Sequence, residues 1–137
     1  RDAQESRGLG DVYKRQALTN IEKEERALRA FRPIVYICSP YAGDVTANVE
    51  NARRYSRFAV DMGYIPIAPH LLFPQFLCDD NPKERQLGLF FGNALMSKCS
   101  EVWVFGSRIS AGMEAEIERA KWKNYRLRYF TENLKEA

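Results

Sequence analysis

The chain predicts an open three-layer α/β domain built on a doubly wound sheet of four or five mainly parallel strands. Two observations carry this. Short apolar runs, several of them β-branched, recur at Ile34–Cys38, Tyr64–Ala68, Glu101–Phe105 and Tyr125–Phe130, with longer stretches of helical periodicity between them. Strands joined through helices need right-handed crossovers, which set the strands parallel and put helices on both faces. The 137 residues, 45% hydrophobic and 12% aromatic, suffice for one compact domain with its own core.

The first sixteen residues, Arg1–Gln16, lack apolar periodicity and do not begin with methionine. Asp11–Gln16 resembles the translation of a transposon adapter end used to build sequencing libraries, so residues 1–16 are expected to be a non-native segment outside the fold. Residues 17–32 are rich in Glu, Lys, Arg and Ala, with Leu18, Ile21 and Leu28 as sparse apolar points. They predict a peripheral, exposed helix over Ala17–Ala30, stopped by Pro33.

The α/β domain then occupies residues 33–137. Ile34–Cys38 is its first strand, closed by the turn-prone Ser39-Pro40-Tyr41-Ala42-Gly43. Over Asn48–Met62 the apolar residues Val49, Ala52, Tyr55, Phe58, Ala59 and Met62 fall at steps of three and four, and Gly63 ends the helix. Tyr64–Ala68 is a second strand, which Pro66 places at a sheet edge because it cannot donate to a ladder. Pro69–Pro82 reads as irregular and aromatic. Lys83–Lys98 predicts a helix on which Gly88 and Gly92 allow close approach. Glu101–Phe105 is the third strand, a helix runs from Ser110 to about Lys123, and Tyr125–Phe130 is the fourth strand.

Charge and cysteine usage exclude several classes. A net charge of +3 from 21 basic and 18 acidic residues gives no electrostatic case for a nucleic-acid polymer or a membrane surface as partner. The apolar runs are too short to span a bilayer and no signal segment is evident, so a cytoplasmic location is expected. Cys38, Cys78, Cys99 and the single His70 form neither a disulfide framework nor a zinc spacing, and no metal or cofactor is expected. Cys38 and Cys99 read as small buried hydrophobes. Trp122 with Lys121 and Lys123 reads as a solvated helix end.

Flavodoxin- and Rossmann-like sheets bind ligands beyond the carboxyl ends of their strands, where the strand order reverses. Here that points to the loops Ser39–Gly43 and Gly106–Gly112. The second loop opens a helix, whose free N–H groups and partial positive charge let Ser110 and Gly112 cradle a phosphate or sugar oxygen. On that helix Met113, Ile117 and Ala120 form an apolar stripe. Glu116 falls on its edge as the half-buried acid, while Glu114 and Glu118 point away.

From about Pro33 to Phe130 the chain resembles the nucleoside 2-deoxyribosyltransferase-like superfamily, in particular an uncharacterised bacterial and mobile-element branch (DUF4406/DUF7768-like). The likeness rests on Val35-Tyr36-Ile37-Cys38-Ser39-Pro40, Asn48–Gly63, Ile67-Ala68-Pro69-His70 and Ser110-x-Gly112-Met113-x-x-Glu116. It implies that Glu116 is the nucleophile at the deoxyribose anomeric carbon and that Tyr36 orients it. It puts Ser110 at a position that contacts a 5′-phosphate in the hydrolase branch, which leans toward a nucleotide. Asn93 stands where active members commonly carry an aspartate, and an amide keeps hydrogen bonds but loses charge and proton transfer. The first loop lacks the arginine used for phosphate, having Ala42 and Gly43, and Arg108 is the cation expected to serve from the other loop.

The expected site therefore comprises Glu116, Tyr36 and Asn93 as the catalytic group. Ser39, Tyr41, Gly43, His70, Arg108, Ser110, Gly112 and Met113 are the expected substrate contacts. His70 either contacts the base or leaving group or simply packs a loop. Leu71, Leu72, Phe73, Phe76 and Leu77 wall a base pocket or form a homodimer surface, and the dimer is favoured. Two functions fit: an N-glycosidase or 2-deoxyribosyltransferase acting on a nucleoside or nucleotide, and a non-catalytic module sensing such a ligand in the same crevice. A flavin site is disfavoured because the first loop lacks a run of hydroxyl residues.

Overall fold

The computed structural model describes residues 2–137, in two compact units of which the second begins at Arg32. The first unit is one helix, α1 (Asp2–Leu28). It extends well beyond the expected Ala17–Ala30, into the segment that sequence reasoning set aside. Apolar periodicity reports a buried face, and Leu18, Ile21 and Leu28 are all exposed. Its helicity instead follows from Ala, Gln, Glu, Lys and Arg, which lose little side-chain freedom in a helix, and from the absence of proline.

The second unit runs β1 (Ile34–Cys38), α2 (Val45–Asp61), β2 (Ile65–Ile67), α3 (Pro69–Leu72), a 3₁₀ turn at Phe73–Gln75, α4 (Pro82–Met96), β3 (Glu101–Phe105), α5 (Ala111–Trp122) and β4 (Arg126–Phe130). The four strands lie in the order β2-β1-β3-β4 and every pair is parallel. β2 is an edge strand, as Pro66 requires. The segment 69–82, expected to be irregular, holds α3 and the 3₁₀ turn, each with a proline, Pro69 or Pro74, whose fixed φ suits a first helical turn.

Alternation along the strands sorts the core into two layers. Val35, Ile37, Trp103 and Phe105 pack with Tyr55 and Ala59 of α2. Tyr36, Cys38, Val102 and Val104 pack with Met96 of α4 and with Met113, Ile117 and Ala120 of α5. All of β3 is buried because helices cover both of its faces. Side chains cap three of the helices: Asp44 accepts from the Ala47 N–H at 3.2 Å, Asn81 from Lys83 at 3.0 Å, and Ser110 from Met113 at 3.2 Å.

The outer edge of β4 is covered by a feature that the sequence pattern did not indicate. The chain turns at Leu134, which has φ 66°, and Glu136 forms an antiparallel bridge with Phe130. Arg128 clamps this return, its Nε and Nη2 donating to the two Glu136 carboxylate oxygens at 2.9 and 2.7 Å. Among the described residues no helix is long and apolar enough to cross a membrane.

Candidate functional site

β1 and β3 are neighbours, and the connections from them leave toward opposite edges of the sheet. Beyond their carboxyl ends lies a cavity of about 310 Å³, within the range of small-ligand pockets. Its wall draws on β1 and the loop after it, on the segment 69–79, on α4 and on the start of α5.

Glu116 and Tyr36 meet in this cavity. Tyr36 is on the face of β1 turned toward α5, and Glu116 sits one residue before the buried Ile117, so the helix turns its carboxyl inward with a side chain 14% exposed. Burial raises the Glu116 pKa to about 7, and the nearby Cys38 thiol and Tyr36 hydroxyl offset part of that rise as donors. Burial, and then the Glu116 charge, push the Tyr36 and Cys38 pKa values well up. Neither donor closes a hydrogen bond of normal geometry: Cys38 Sγ is directed at the Met113 carbonyl, 3.9 Å away, and Glu116 Oε2 is buried without a partner among the described residues. The carboxyl is thus buried but not satisfied.

His70, from α3, brings Nε2 to 3.8 Å from Glu116 Oε1. Burial lowers its pKa against the opposing effect of Asp79, which keeps the ring neutral near pH 7. Tyr41 stacks on it, with ring centroids 5.0 Å apart. The Tyr41 loop is itself tied down by Asn48 of α2, whose amide donates to the carbonyls of Tyr41 and Ala42 at 2.9 and 3.1 Å. From α4, Gly92 faces the tip of Tyr36, and a Cβ there would lie 3.4 Å from the hydroxyl oxygen. Asn93, next to it, lines the cavity.

A family described as "Domain of unknown function (DUF7768)" matches residues 33–130. The chain belongs to this family. Among solved structures it is similar to a 2-deoxyribosyltransferase from the psychrotolerant bacterium Bacillus psychrosaccharolyticus, with a TM-score of 0.61 and 11% identity, covering 72% of each chain. That likeness is one of fold. No curated protein matches the chain.

In this DUF7768 domain the cavity gathers eight of the eleven residues expected at the site: Glu116, Tyr36, Asn93, Tyr41 and His70, together with Ser110, Gly112 and Met113 at the head of α5. The other three do not line it. Ser39 is 2% exposed, packed into the protein at the end of β1 with almost no surface to offer. Gly43 is exposed and uses φ 98° to turn the chain into the Asp44 cap of α2. Arg108 is exposed in the β3–α5 loop, outside the cavity. The Ser110 oxygen already accepts from Met113 N–H, which leaves its hydroxyl proton and one lone pair to offer.

Sequence reasoning missed Asp79, Glu84 and Arg85, which also line the cavity. A signal was available. Glu84, Gly88 and Gly92, and beside them Arg85, Leu89 and Asn93, recur every four residues, the spacing of one helix face. The aromatic segment divides: Phe73 and Leu77 line the cavity, whereas Leu72 and Phe76 are exposed at 46% and 60%.

Proposed function

We propose that the domain breaks or exchanges the N-glycosidic bond of a deoxynucleoside or deoxynucleotide, as an N-glycosidase or 2-deoxyribosyltransferase, with Glu116 as nucleophile. The observation that carries this is a buried, unsatisfied carboxyl beside a tyrosine hydroxyl in a nucleoside-sized cavity at the switch point of the sheet. The fold neighbour is itself a 2-deoxyribosyltransferase. In the reaction a Glu116 oxygen bonds to the anomeric carbon as the carbon–nitrogen bond breaks, and that electron pair leaves with the base, which takes up a proton. The carboxylate opposes the positive charge that grows on the sugar, and the Tyr36 hydroxyl beside it is the donor available to orient it. The base takes this proton from solvent, and His70, neutral and adjacent, is placed to hydrogen-bond the departing base. Water then attacks the anomeric carbon, breaking its bond to the Glu116 oxygen, losing a proton to solvent and releasing the deoxyribosyl group as the free sugar, or a second base attacks the same carbon and gives a new nucleoside. Either route restores the carboxylate. The exposed Phe76, Leu89 and Phe90 support a second copy of the chain as partner.

Asn93 supports a second reading, binding without turnover, because an amide supplies hydrogen bonds but moves no proton. Incubating purified protein with a panel of deoxynucleosides and their 5′-monophosphates, followed by chromatography of free base, tests the first reading. Release from at least one compound is expected. A ligand that raises the melting temperature while no compound is cleaved favours the sensor instead.

A further inference from the structure

We propose that the cavity selects a 6-oxopurine base, guanine above all, on a deoxynucleoside without a 5′-phosphate. This rests on the reading of Glu116 as the group that meets the sugar. The face of α4 that lines the cavity is graded along its length. Gly92 lies beside the Tyr36 hydroxyl with Asn93 next to it along the chain, Gly88 is in the middle, and Glu84 and Arg85 stand in the opening turns of the helix. At a rise of 1.5 Å per residue, Arg85 is about 12 Å from Asn93 along the helix, which leaves the length of a base plus the reach of an arginine. Gly88 and Gly92 add no side chain to this face, and a Cβ on them would lie 3.6 Å from Leu77 Cδ1 and 3.4 Å from the Tyr36 hydroxyl oxygen. The space left for a planar ring is therefore the cavity between this face and the apolar walls of Phe73, Pro74 and Leu77.

The polar groups around the slot choose among rings. Among the described residues lining the cavity, Arg85 is the one side chain with a permanent positive charge, and neither it, Glu84 nor Asp79 makes an ion pair. The guanidinium fork donates to two adjacent acceptors, which O6 and N7 of a 6-oxopurine provide, and a carboxylate accepts from the N1–H and 2-amino group of guanine. Adenine offers an amino group where the arginine needs an acceptor. One cation beside two carboxylates also leaves this rim net negative, which opposes a phosphate dianion. Arg108, the cation expected at the phosphate, lies outside the cavity.

The test compares kcat/KM for base release from deoxyguanosine, deoxyinosine, deoxyadenosine, thymidine and deoxyguanosine 5′-monophosphate, in wild-type protein and Arg85→Met. Arg85 is on an exposed helix surface and Met is a good helix former, so the variant is expected to fold. Deoxyguanosine is expected to exceed deoxyadenosine and its own monophosphate by about tenfold or more. Arg85→Met is expected to remove most of that advantage. A substrate ranking that Arg85→Met leaves intact overturns the inference while Glu116 chemistry stands. A preference for the monophosphate that Arg85→Met abolishes also overturns it, by assigning Arg85 to phosphate. Calorimetric titration of Glu116→Gln with the same compounds separates the two readings. Arg85-dependent binding of deoxyguanosine without release by wild-type protein supports the base subsite and removes the glycosidase reading, and failure of every compound to bind overturns both.

Discussion

Glu116→Gln is expected to release base roughly 10⁴-fold more slowly than wild-type protein, the scale of loss when a catalytic nucleophile is removed. Glutamine keeps the shape and hydrogen-bonding reach of the side chain but can neither form the ester nor oppose the charge on the sugar. The wild-type pH profile carries the same signature. Nucleophilic attack needs the ionised carboxylate, and burial holds the proton on Glu116 up to about pH 7. Below that value kcat/KM falls by about tenfold per pH unit, and above it the profile flattens. Chromatographic rates from pH 5 to 9 check both statements. A variant within tenfold of wild type, or a flat profile across that range, contradicts them.

The same substitution is expected to stabilise the protein at pH 8. The folded-state pKa of about 7 exceeds the unfolded value of 4.5, so between these two the native state binds more proton than the unfolded chain. Stability therefore falls as pH rises through that window, because ionising Glu116 leaves a buried charge incompletely paired. The loss amounts to roughly 3 kcal/mol once pH exceeds the upper value, at 1.36 kcal/mol per pKa unit. Glu116→Gln lacks this titration, so its denaturation midpoint should exceed that of wild type at pH 8 and match it at pH 4. Equal midpoints at both pH values would show that the carboxyl is as well solvated as in the unfolded chain.

What was legible in the sequence, and what was not, follows from how each feature is encoded. The alternating strands and the stripe of Met113, Ile117 and Ala120 write their burial directly into periodicity, and Pro66 announces an edge because it lacks a donor. Glu116 was readable because helix phase fixes which way it points, and Tyr36 through the resemblance of its strand to a known family. Ser39, Gly43 and Arg108 were not, since membership of a loop near the switch point does not say which side of the loop faces the crevice. Asp79, Glu84 and Arg85 reach the cavity through the placement of α4 across the sheet, a tertiary fact that local pattern records weakly. The helicity of α1 escaped because its propensity has no apolar periodicity beside it. The return of Glu136 along β4 escaped because it rests on one bridge and one ion pair.

Acid-quenched protein, digested after mixing with deoxyguanosine and analysed by peptide mass, tests most directly whether Glu116 attacks the sugar. The expected result is one deoxyribosyl group on the peptide that contains Glu116, absent from Glu116→Gln. A deoxyribosyl group mapped to another side chain, or present equally in the variant, would contradict the account.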